Sequence, residues 1–183
     1  MADREIAGGE LGLVQAFVNT TDLQDGPEEL TDPNTLRTWL VARNLVDVDA
    51  EVTDADLRNA LALREAMRGV IGGNSGFPVY PVDLATLNEA AQESRLRMRF
   101  GADGRPRLEP EARGVTGAFG RLVATLYSAM QDEAWPRLKL CQSVSCRWAF
   151  FDRSKNRSSR WCTMASCGNR AKARRFRAQH RHA

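Results

Sequence analysis

Residues 141–170 read CQSVSCRWAFFDRSKNRSSRWCTMASCGNR and hold every cysteine of the 183-residue chain: Cys141, Cys146, Cys162 and Cys167. The spacing is Cys-x4-Cys twice, with fifteen residues between the two pairs. Each pair can bring two thiolates to one ion from a tight loop, and Zn²⁺ in a structural role takes four thiolates in a closed tetrahedron. A segment this poor in large aliphatic side chains needs such a staple, so metal binding and folding should be one event. One structural Zn²⁺ is the expected cofactor. A disulfide pair or an iron–sulfur cluster is the other use that four cysteines can have.

Trp148, Phe150 and Phe151 on one side and Trp161 on the other flank Asp152 to Ser158, which reads as a hairpin. The aromatics suit the small core of a finger; interleaved with arginines, they could instead stack unpaired bases. Gly168 lets the backbone pass close to the metal, and Asn169 to about Arg181 has helical composition. Knuckle, hairpin and a helix bearing the last ligands in its first turn make the layout of a treble-clef finger.

Charge divides the chain at the same place. Up to Pro136 there are 13 Arg/Lys against 22 Asp/Glu; from Arg137 onward there are 13 against one, Asp152. An acidic body joined to a basic arm implies a polyanionic partner. Four thiolates on one Zn²⁺ leave a charge of −2, which Lys139, Arg147, Arg160 and Arg170 can offset. Beyond these, Arg153, Lys155 and Arg157 crowd the expected hairpin tip. On the helix, Arg170, Arg174, Arg177 and Arg181 form one stripe and Lys172, Arg175 and Gln179 another. Between the stripes lie Asn169, Ala173, Phe176 and His180, and the simplest packing sets Ala173 and Phe176 on the finger's aromatics. Arginine outnumbers lysine ten to three from Arg137 onward, which favours bidentate recognition of phosphate or guanine.

The body, residues 1–136, reads as helical with one hairpin. Leu11, Val14, Phe17 and Val18 have helical spacing from Glu10 to Thr20. Asp32-Pro33 starts a helix that buries Leu36, Trp39 and Leu40. Thr53 and Asp56 have capping-box spacing ahead of a helix that Gly72-Gly73 stops. Pro81 to about Ser94 is a fourth helix. Leu96, Met98 and Phe100 alternate with Arg95, Arg97 and Arg99, the period of a half-buried strand, and the turn Gly101 to Gly104 returns it through Arg105 to Glu109. Pro110 to Trp135 should be the longest helix. The expected fold is thus a mainly α body with a β-hairpin near 95–109, in the α+β class, followed by a treble-clef finger over 137–183.

The double Cys-x4-Cys spacing with Cys167-Gly168-Asn169-Arg170 at its end resembles the CGNR zinc-finger family of bacterial proteins. The body is similar to the ABATE domain attached to such fingers: Phe17-Val18-Asn19-Thr20, Leu63-Arg64-Glu65, Leu87-Asn88 and the later hairpin follow in order. Gln15 and Ala16 depart from that pattern. The resemblance implies a stress-induced transcription regulator, with a sensing or interaction domain ahead of a DNA-binding finger. In the body, Asn19, Arg64 and Asn88 fall on otherwise apolar helix faces and could line a pocket for a small-molecule effector.

DNA is therefore the expected partner; RNA or single strands on the same surface, and a finger that binds protein, are the alternatives. An enzyme is not expected. Both histidines, His180 and His182, lie in the basic tail, no cysteine precedes Cys141, and four thiolates leave no open coordination position. The start MADREIAGGE lacks the apolar core of a secretory signal, and no stretch approaches the roughly 18 apolar residues of a membrane span, so a cytoplasmic protein is expected. No heptad seam indicates a dimer.

Overall fold

A computed structural model describes residues 6–24 and 26–180. Helices α1 (Gly9–Val18), α2 (Pro33–Val41), α3 (Asp54–Gly73) and α4 (Pro81–Glu93) come first, then the hairpin strands β1 (Leu96–Phe100) and β2 (Pro106–Pro110). They are followed by α5 (Gly114–Gln131), the short strands β3 (Leu138–Leu140) and β4 (Ala149–Phe151), and α6 (Asn169–Gln179).

Local chemistry sets the helix starts. Asp32 accepts the amides of Asn34 and Thr35, each at 2.9 Å, and the Thr35 hydroxyl accepts the Asp32 amide at 3.1 Å, with Pro33 in the first turn. Thr53 and Asp56 form the expected reciprocal box on α3, at 2.8 and 3.2 Å. That helix, at 20 residues, is the longest among the described residues; α5 has 18. Helix α5 is shorter than the expected Pro110 to Trp135 because Pro110 ends β2, Gly114 turns the chain at φ +60°, and Asp132 leaves the helical conformation.

Val14, Phe17 and Val18 of α1, Leu36 and Leu40 of α2, Leu63, Met67 and Ile71 of α3, and Ala118, Leu122 and Leu126 of α5 form the buried centre. Each large apolar side chain sealed there contributes about 1.5–3 kcal/mol. Helix α4 lies against α3 and α5 but buries no residue fully; Leu87 and Ala90 are half-covered.

The first hairpin has the register the alternation predicts, with Leu96 opposite Pro110 and Met98 opposite Leu108. Its apolar face is only partly covered. Leu96 and Leu108 are half-buried, whereas Met98 is 63% and Phe100 69% exposed. The hairpin docks by its root, where a Cβ on Gly120 would stand 2.4 Å from the Ser94 Cβ and 2.8 Å from the Pro110 Cβ.

The second hairpin differs from expectation. Strand β4 pairs back with β3, Leu140 opposite Ala149, so the first cysteine knuckle forms the bend of this hairpin. Asp152 to Ser158 is instead an outer loop, because buried Asp152 draws the Ser154 and Ser159 amides onto its own carboxylate at 2.9 and 3.0 Å. Leu138, Leu140 and Ala149 belong to the same core as the helices, so packing crosses the change of charge at Pro136. Polar links reinforce it: Asn74 Nδ2 donates to the carbonyls of Trp135 and Leu138 at 2.9 and 3.0 Å, and the Leu140 amide donates to Ser75 Oγ at 2.7 Å. Among the described residues, no helix is long and apolar enough to cross a membrane.

Candidate metal centre and nucleic-acid interface

Strand β3 ends at Leu140 and delivers Cys141; the knuckle returns Cys146; Cys162 and Cys167 arrive from the chain that leads into α6. All four are buried, and their sulfurs lie within 4.8 Å of one another. Cys146 and Cys162 Sγ are 3.7 Å apart, Cys162 and Cys167 Sγ 3.8 Å. A tetrahedron of sulfurs at the usual zinc–sulfur bond length of about 2.3 Å has an edge of about 3.8 Å. A disulfide would need about 2.05 Å. An iron–sulfur cluster shares the four thiolates among two or four irons and so spreads the sulfurs wider than a single ion requires. The donor set fits one structural zinc ion.

The thiols compete when no cation neutralises them. Hydrogen bonds from Cys146 and Cys162 hold Cys141 far below the ordinary thiol range, and the same contact pushes Cys146 up and Cys162 up to about 12. A dication removes the conflict by making all four thiolates favourable at once.

Of the cations expected to offset the thiolates, Arg170 touches one: its guanidinium donates to Cys167 Sγ at 3.2 Å and also to Gln24 Oε1 of the α1–α2 connection. The other three are held elsewhere. Lys139 Nζ pairs with Asp152 at 2.8 Å and donates to the Arg157 carbonyl; Arg147 lies 4.6 Å over the Phe77 ring; Arg160 Nε donates to Gln142 at 2.6 Å. Burial alone would raise the Asp152 carboxyl, but Lys139, Ser154 and Ser159 donate to its charged form and hold it well below the usual carboxylate range. Arg137 adds hydrogen bonds to the Asp152 and Ser154 carbonyls, both at 2.9 Å. The loop that presents Arg153, Lys155 and Arg157 to solvent is therefore braced from within. Arg153 itself donates to the Ile6 carbonyl at 3.3 Å.

The last ligand sits in a π-helical turn, Met164–Gly168, that runs directly into α6. Gly168 lies against Met164 and Trp161: a Cβ there would stand 2.6 Å from Met164 Sδ, the flexible end of a 54% exposed side chain. Ala173 and Phe176 do not pack on the finger's aromatics as expected. Phe150 is already buried with the four cysteines, and Trp148 and Trp161 close over that small core without the helix. Helix α6 instead stands in solvent with no buried residue. Lys172, Arg174, Arg175 and Arg177 are exposed around it; Phe176 is 61% exposed and stacks on His180, ring centroids 4.1 Å apart. Arg181 lies outside the described residues.

The three body residues expected to line a pocket are not brought together. Asn19 exchanges hydrogen bonds with the Ala149 backbone. Arg64 is buried against Glu28 at 2.6 Å, Glu65 at 3.0 Å and Thr20 at 3.2 Å. Asn88 is exposed on α4. Burial would raise Glu28, yet the Arg64 hydrogen bond leaves it below its ordinary value. The neighbouring Arg68 donates to the Val18 carbonyl, so this arginine pair binds α3 to the end of α1. Sequence reading missed Gln15, Gln24, Asn74 and Ser75, which join body to finger. Gln15 alone carried a signal: it is polar in an otherwise apolar helix, and it bridges the Ala7 amide at 2.7 Å and the Ala149 carbonyl at 3.1 Å.

Two family models match the chain in consecutive segments. One, ABATE, described as "Putative stress-induced transcription regulator", covers residues 11–132; the other, the CGNR zinc finger, covers residues 137–180. A comparison with curated proteins finds no match.

Proposed function

The chain belongs to the ABATE family and ends in a CGNR zinc finger; from that premise we propose that it is a transcription regulator that binds double-stranded DNA through α6 and the Asp152–Ser158 loop. The observation that carries this reading is the state of α6. Five of its eleven residues are cationic, none is acidic, and none is buried. Arg170 and Arg174, four residues apart, repel by a few tenths of a kcal/mol, so the helix is disfavoured in isolation. Phosphates supply counter-charge for the exposed Lys172, Arg174, Arg175 and Arg177.

Zinc has a structural part in this reading and no catalytic one: it fixes the turn from which α6 springs. The body's part is regulatory. An effector or partner bound to it can reach the finger through Asn19, Gln15 and Gln24, which hold Ala149 and Arg170. A cytoplasmic location is part of the same reading.

The test is binding of the zinc-loaded chain to a labelled random-sequence 30-bp duplex pool, with duplex DNA and single-stranded RNA as competitors. Binding should weaken linearly on a log–log plot against salt, and Arg174→Ala or Arg177→Ala should each reduce the slope by about 1. Displacement mainly by RNA, or no binding at 50 mM salt, would overturn the reading.

A further inference from the structure

Helix α6 is divided into four faces. With about 100° per residue and Arg170 as origin, Arg174 and Arg177 lie within about 40° of it, and Arg175, Gln179 and Lys172 span about 140° to 200°. Asn169, Ala173, Phe176 and His180 occupy about 240° to 300°; Ala171 and Ala178 lie opposite, near 90°. One mixed polar and apolar face is thus flanked on both sides, about a quarter-turn away, by cations, and backed by alanine.

Resting on the DNA reading above, we propose that α6 enters the major groove of duplex DNA with Asn169, Ala173, Phe176 and His180 against the base edges, and that Phe176 recognises the thymine 5-methyl group. The dimensions agree, because a helix with its side chains is about 10–12 Å across and the major groove about 12 Å wide. The charge pattern agrees as well. Two cationic flanks match two phosphate strands, whereas a single strand would leave one flank without a counter-charge. No α6 residue is buried, so the proposed face is open to solvent.

Phe176 is the large apolar group on this helix, and it is 61% exposed in a setting where water contact is unfavourable. Its ring is held in place by the stacked His180 ring, at 26° between planes, while His180 Nδ1 lies 2.9 Å from the Phe176 carbonyl. A base-pair edge offers such a ring one apolar partner, the thymine methyl. Arginine and lysine on the flanks set the helix on the backbone and carry no base information.

The experiment uses the full zinc-loaded chain and two 24-bp duplexes, alternating dA·dT and the same duplex with uracil in place of thymine. Wild-type protein should bind the thymine duplex about 4-fold more tightly, the effect of burying one methyl-sized group. Phe176→Ala should bind both equally, near the wild-type level on the uracil duplex, and Phe176→Leu should restore part of the preference. Zinc content and circular dichroism check that the variants fold. Binding to both duplexes without discrimination by wild type, or discrimination that survives in Phe176→Ala, overturns the assignment of Phe176 and leaves DNA binding intact. No binding to either duplex at 50 mM salt overturns both readings.

Discussion

The Asn19 side-chain amide and the Ala149 backbone exchange two hydrogen bonds, Nδ2 to the carbonyl at 2.8 Å and the amide to Oδ1 at 2.9 Å, across 130 residues of chain. A single side chain thus pairs with β4 as a neighbouring strand would. Asn19→Asp keeps the acceptor but sets a carboxylate against the Ala149 carbonyl; it should destabilise the protein by about 3 kcal/mol, and Asn19→Ala by about 2. Urea unfolding followed by helical signal and by zinc release should give coincident midpoints that shift together. A shift in zinc release alone would mean the contact matters only to the finger.

Chelation should likewise reach the helical body. Leu138, Leu140 and Ala149 fill its core from strands that the metal site ties together. Stripping the zinc should lower the midpoint of thermal unfolding of the helices by several degrees, about 4 °C or more. An unchanged helical transition in the presence of EDTA would separate the two.

Arg170 divides its guanidinium between Cys167 and Gln24, so its replacement by alanine should act on the metal before the DNA. Loss of the cation beside a thiolate should lower zinc affinity about 10-fold, read by competition with a chromophoric chelator. Equal affinity would mean the 3.2 Å contact is electrostatically idle.

Acid should erase one specific contribution. The Asp152 carboxyl is held below its unfolded value, so the stability it confers is complete above about pH 4 and is lost as pH falls through the lower folded value. Asp152→Asn should cost about 3 kcal/mol at pH 7, and its difference from wild type should shrink below about pH 4. Protonation of the cysteines weakens zinc binding in both proteins, so zinc content is followed alongside unfolding to separate the two causes. A difference that persists at low pH would trace the loss to packing instead.

Helix α5 admits the first hairpin only because position 120 lacks a side chain. A Cβ there meets Ser94 and Pro110 inside van der Waals distance. Gly120→Ala should cost about 2 kcal/mol, despite alanine's better helix propensity. At Gly69 a Cβ would stand 2.2 Å from Asp83 Oδ2 and 2.6 Å from its Cγ, and moving them breaks the bond that Oδ2 accepts from the Tyr80 amide, so the same substitution there should cost about 1 kcal/mol, the worth of a helix cap.

Much of this was legible in the residues because it rests on local chemistry. Caps such as Asp32 and Thr53, the alternation of β1 and the cysteine spacing each act within a few residues, and each stands where the sequence puts it. What could not be read depends on partners far along the chain. Ala149 carries no sign that it completes a helical core, and Ser75 none that it will bond Leu140. Helix α6 was misjudged for the opposite reason. Phe176 looked like a core residue, but the aromatics that should have received it were already occupied with the cysteines. Met98 and Phe100 erred the same way: alternation specifies which side chains share a face, not whether anything covers it. For Asn19, Arg64 and Asn88, a shared polarity on helix faces said nothing of direction, and two of the three proved to be bound to neighbours.

The placement of Leu138, Leu140 and Ala149 also sets an order of events during synthesis. A nascent chain that has released only its five body helices still lacks three members of their core. Contacts between residues 15–19 and 149 span most of the polypeptide, and such long-range closures form late. Until the ribosome has delivered the second hairpin, the emerging body exposes an apolar seam, the condition in which nascent chains are captured by chaperones or by one another. Yield of this protein in the cell should therefore respond to zinc supply at the moment of translation, not only in the finished molecule.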